Sequence, residues 1–119
     1  MGTWGVGIFD NDVAADVRAA FEEALSSTPN ITTATKRVLN QFINEVEDED
    51  DRVHVYLALA FLQLELGGLQ PDVRDEALQI IRSGQDLTRW EESEASILDE
   101  RKRILQGLER KLTSQGEND

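Results

Sequence analysis

Apolar residues recur at helical spacing along most of the chain, and strand-like alternation is scarce. Val13, Val17, Ala20, Phe21, Ala24 and Leu25 make one stripe that predicts a helix over residues 13–26, stopped by Ser26-Ser27-Thr28-Pro29-Asn30. Ile31, Ala34, Val38, Leu39, Phe42, Ile43 and Val46 predict a second over 32–46. The run EDEDD at 47–51 interrupts it, because successive turns would stack like charges. The third helix is predicted over 51–66, capped by Asp50 or Asp51. From Val53 to Leu66 it is apolar nearly all the way round, which places it at the centre of a fold.

Gly67-Gly68 supplies a C-terminal stop able to take positive φ. Pro71 then suits the first position of a fourth helix over 71–83, with Val73, Ala77, Ile80 and Ile81 as its stripe and Gly84 beyond its end. Thr88 and Glu91 form a capping box ahead of a fifth helix over 89–113. Its stripe is Trp90, Ile97, Leu98, Ile104, Leu105, Leu108 and Leu112, with charged residues on the opposite face. Gly107 inside it is expected to mark a bend or a close contact, and residues 114–119 are expected to fray. The pattern predicts one all-α domain over residues 1–119. It is a compact bundle of about five helices around the apolar third, with residues 1–12 as an ordered segment packed on it. There is no internal repeat and no long linker.

The first twelve residues, MGTWGVGIFDND, place three glycines among Trp4, Val6, Ile8 and Phe9 before the first helix. Asp10, Asn11 and Asp12 each carry a side chain suited to capping that helix and to the positive end of its dipole. Trp4, Ile8 and Phe9 are expected to plug the open end of the bundle, with the glycines allowing close backbone approach. The rival reading makes Trp4 or Phe9 an exposed anchor for another protein. A phosphate-cradling loop does not fit: the segment lacks the lysine and the preceding strand, and Asp10 and Asp12 would repel a phosphate.

This opening resembles the start of a bacterial family known as a domain of unknown function, DUF4259, whose members begin M-G-x-W-G-x-G-x-F-x-N-D. The matching residues are Met1, Gly2, Trp4, Gly5, Gly7, Phe9, Asn11 and Asp12. The alanine-bearing apolar helix ending in glycine, Leu57 to Gly67, and Trp90 early in the last helix are weaker similarities. Relatives often carry an aromatic shortly after the Asn-Asp pair, where this chain has Val17. The resemblance implies a bacterial source, and it assigns no catalytic residue and no role to any position.

Charge narrows the partners. The chain of 119 residues has 12 basic and 24 acidic residues, for a net charge of −12. Up to Asp51 there are 3 basic against 11 acidic residues, and beyond it 9 against 13. Such a field repels nucleic acid and anionic lipid and favours a basic partner. Cysteine is absent, which excludes disulfides, thiolate nucleophiles and cysteine-ligated metals. No secretion signal and no apolar run long enough for a membrane span is legible, so a cytoplasmic protein with no membrane association is expected.

Candidate chemistry is sparse. His54 follows Asp50 by four residues and Asp51 by three, which puts the three on one face of a helix. Yet it is the only histidine, whereas di-iron bundles need two Glu-x-x-His pairs and histidine-based zinc sites need more nitrogen ligands. No spacing selects an acid–base pair or an activated nucleophile, so no catalytic, metal or cofactor residue is assigned. The expected function is protein binding, in the manner of an inhibitor or immunity-like protein facing a basic partner. Glu45, Glu47, Asp48, Glu49, Asp50 and Asp51 form the acidic interaction patch, and Trp4, Phe9, Asp10, Asn11 and Asp12 the partner-binding or structural anchor. The alternatives are a homodimer sealed by the stripe of the last helix, and a metal protein or enzyme using His54 with Asp50 and Asp51.

Overall fold

In the computed structural model of the protein, residues 12–28, 30–84 and 95–117 are described, and every regular element among them is an α-helix. The order is α1 (Asp12–Ser27), α2 (Ile31–Gln41), α3 (Ile43–Glu47), α4 (Glu49–Leu66), α5 (Pro71–Ser83) and α6 (Ala95–Glu117). As its all-round apolar pattern predicts, α4 is central: α1, α3, α5 and α6 all pack against it. Its Val53, Val55, Leu57, Ala58, Leu59, Ala60 and Leu62 are buried together with Val17 and Phe21 of α1, Ile80 of α5 and Leu112 of α6. The result is a compact all-helical globule.

The second predicted helix is in fact two. Phe42, at φ −103° and ψ 30°, ends α2 and begins α3. The chain pivots there because its two parts serve different neighbours: α2 packs chiefly on α1, α3 on α4. A straight helix could not reach both. The pivot turns Ile43 out of the predicted stripe, leaving it 47% exposed, while Phe42 and Val46 pack against the core.

The acidic run is also corrected. Asp48, rather than Asp50 or Asp51, caps α4: its Oδ1 accepts from the Asp50 N–H at 2.9 Å and the Asp51 N–H at 3.2 Å. Glu49, Asp50 and Asp51 therefore occupy the first turn, where the helix dipole favours negative charge. Helix α4 thus begins at Glu49, two residues before its predicted start. At the other end Gly67 takes φ 71°, its left-handed geometry closing α4. Helix α5 has its predicted bounds, with Pro71 in the first turn and Gly84 as left-handed cap.

Helix α6 departs from expectation in three ways. It continues to Glu117, so residues 114–117 are helical where fraying is expected. Gly107 marks no close contact, since a Cβ there would meet nothing within 4 Å. The charged residues are not all on the face opposite the stripe: Arg101 is 1% exposed. It precedes Leu105 by four residues and Leu108 by seven, which puts it on the apolar stripe. Trp90 and the Thr88–Glu91 capping box lie outside the described residues, as do Trp4, Phe9, Asp10 and Asn11. Asp12 opens α1 and is exposed.

Candidate functional site

Two adjoining surfaces gather the polar chemistry of the described residues. One is the corner where α3 meets α4. Glu47, Asp48, Glu49 and Asp50 are exposed there, with Glu45 and Asp51 partly covered. The corner is held in place from beneath, since Val46 and Phe42 pack on the core and Asp48 locks the start of α4. Of the six residues of the predicted acidic patch, four consecutive ones, Glu47 to Asp50, are exposed where the two helices meet.

The other surface is a groove between α2 and α5, floored by α4. Arg52, Tyr56, Leu59 and Gln63 recur at spacings of four, three and four, so they share one face of α4 turned towards it. Gln63 lies deepest and is fully buried. Its Nε2 donates to Thr35 Oγ1 at 2.8 Å and to Gln70 Oε1 at 3.2 Å, while its Oε1 accepts from the Gln70 N–H at 2.9 Å. Gln70 Nε2 donates in turn to Thr32 Oγ1 at 2.7 Å. This chain of amides and hydroxyls ties α2, α4 and the turn before α5 together. A cavity of about 790 Å³ opens above it, lined by Thr32, Thr35, Lys36, Leu39, Tyr56, Gln70, Pro71, Asp72, Val73, Asp75 and Glu76.

Arg52 separates the corner from the groove. Its guanidinium pairs with Glu76 of α5, and its central carbon lies 5.0 Å from the centre of the Tyr56 ring. Both members of the ion pair are about one-third exposed, so solvent keeps its contribution to stability below about 1 kcal/mol. Its effect is geometric: it fixes the Tyr56 ring and the Glu76 carboxylate at the mouth of the groove. A second cavity of about 430 Å³ lies between α4 and α6, lined by Phe61, Leu64, Glu65, Arg110, Lys111 and Ser114.

His54 follows Asp50 and Asp51 by four and three residues within α4, so the three share a helix face, with the histidine side chain buried rather than exposed. It is 5% exposed, held among the core residues of α4. Among the described residues no three His, Asp or Glu side chains converge on a point that could hold a metal ion. Every buried side-chain nitrogen or oxygen among them has a hydrogen-bond partner. No helix among them is long and apolar enough to cross a membrane.

Sequence reasoning passed over Gln63 and Arg101, two of the four buried polar residues among those described. The signal was present: a glutamine between Leu62 and Leu64, and an arginine one turn before Leu105. It also missed the groove, whose walls come from three helices and have no contiguous motif.

Fold and surface together describe a small all-helical domain with an acidic corner and a polar groove. The chain belongs to the family described as a domain of unknown function (DUF4259), whose model matches residues 2–118. No curated protein and no solved structure matches it.

Proposed function

We propose that the protein acts by binding a basic protein, with the acidic corner at α3 and α4 as the surface that attracts it. The observation that carries this reading is the exposure of Glu47, Asp48, Glu49 and Asp50 side by side on packed helices. A rigid patch of one sign speeds encounter with a partner of opposite sign and fixes its orientation. The net charge of −12 gives the same preference at longer range. Inhibition of the basic partner, in the manner of an immunity protein, is the form of binding this charge suits best. The reading supposes no catalysis and no cofactor.

The stripe Leu105, Leu108 and Leu112 faces the protein's own core, so a homodimer would have to form through another surface. The test compares capture from source-cell lysate by the wild-type chain and by a Glu47→Gln, Glu49→Gln, Asp50→Asn variant, at low and high salt. A basic protein held by the wild type, released by salt and lost to the variant is expected. Capture of the same proteins by both chains, unaffected by salt, overturns the proposal.

A further inference from the structure

We infer that the cavity between α4 and α6 binds a small zwitterion with an apolar side chain, a free α-amino acid of the leucine or phenylalanine kind; this site is separate from the acidic corner and needs no protein partner. The cavity's volume, about 430 Å³, lies in the range of small-molecule sites. Phe61 precedes Leu64 by three residues and Glu65 by four, so the three share one face of α4 and form one wall. Arg110 and Lys111 precede Ser114 by four and three, and these form the wall from α6.

Each kind of group matches one part of such a molecule. Phe61 and Leu64 are half-buried and offer apolar surface to its side chain. The Glu65 carboxylate suits its ammonium, in the last turn of α4, where the negative end of the helix dipole adds to the attraction. Arg110 and Lys111 suit its carboxylate, the guanidinium as a planar fork and the ammonium as a point charge on a long stem.

These charges are available for a ligand. Among the described residues Glu65, Arg110 and Lys111 take part in no ion pair, whereas Glu76 and Glu109 are held by Arg52 and Arg82. The two signs line one cavity without closing on each other, which leaves a gap for a molecule that carries both. Charge balance makes the same choice. A lone anion must enter the field of a protein with a net charge of −12, and a lone cation meets Arg110 and Lys111. A zwitterion has no net charge and avoids both penalties.

The experiment titrates the isotope-labelled full chain with L-leucine and L-phenylalanine and follows backbone amide shifts by NMR. N-acetyl-L-leucine, L-leucinamide and glycine, which lack the ammonium, the carboxylate and the apolar side chain in turn, are run in parallel at constant ionic strength. Saturable shifts centred on residues 61–65 and 110–114 are expected with the two amino acids. Binding about fivefold weaker is expected for the acetyl and amide analogues, and none for glycine. Arg110→Gln with Lys111→Gln is expected to weaken leucine binding about fivefold, as loss of two exposed charge contacts implies. Glu65→Gln is expected to weaken leucine about threefold and to strengthen N-acetyl-leucine about twofold, a gain that a damaged fold cannot produce. Glycine binding as well as leucine, either analogue binding as tightly as leucine, shifts centred elsewhere, or no saturable shift would each overturn the inference.

Discussion

Gln63 on α4 donates to Thr35 on α2 at 2.8 Å, and both residues are buried, 0% and 3% exposed. A buried amide in an otherwise apolar helix is tolerable only when its hydrogen bonds are made, and here they join three elements. Gln63→Leu is expected to cost about 2 kcal/mol, because it strands the Gln70 N–H and the Thr35 hydroxyl. Thr35→Val should cost about 1 kcal/mol. Urea unfolding of the single and double variants tests the bond itself: the double loss should be smaller than the two single losses combined. Strict additivity would mean that the two side chains do not act together.

Loss of the cap at Asp48 has a local signature. Asp48→Ala should lower stability by about 1 kcal/mol, with Asp48→Ser recovering most of it. Hydrogen exchange should quicken first at the amides of Asp50 and Asp51, which the Asp48 carboxylate accepts from. Unchanged exchange there would mean that other contacts hold the start of α4.

The end of α6 is expected to behave as core. Leu112 is fully buried, so Leu112→Ala should cost about 3 kcal/mol, the usual loss for a large apolar side chain emptied to alanine. A loss under about 1 kcal/mol, the scale of an ordinary surface substitution, would show the last turns to be dispensable.

Two glycines in α-helical surroundings should respond in opposite directions. Gly107→Ala should raise stability by about 1 kcal/mol, since the added methyl group meets nothing and the helix gains a better former. Gly67→Ala should lower it by about 1 kcal/mol, because the residue holds φ 71°. Thermal unfolding of both variants under one set of conditions decides the signs.

The helical bundle was legible in the sequence because its signals are local and strong. The all-round apolar stretch from Val53 to Leu62 announced the central helix, and Pro71 and Gly84 bracketed α5. What escaped notice depends on tertiary partners. The break at Phe42 follows from two helices packing on different neighbours, which a stripe continuing through Ile43 and Val46 conceals. Asp48 could not be picked as the cap from five consecutive acids, each chemically able to serve. The acidic corner was read from composition alone, whereas the groove required Lys36, Tyr56 and Asp72 to be brought together from three helices.

The start of α4 carries a constraint on how this surface can evolve. Glu49, Asp50 and Asp51 hold positions where the helix itself rewards a negative side chain, and Asp48 is the oxygen that ties the turn down. Replacing any of them by lysine would weaken the most central element of the domain before any partner was consulted. The sign of this corner is therefore fixed from within. Descendants of the protein are free to retune affinity by moving acids around its rim, but they cannot readily invert its polarity, so a switch to an acidic partner would have to be built on a different face.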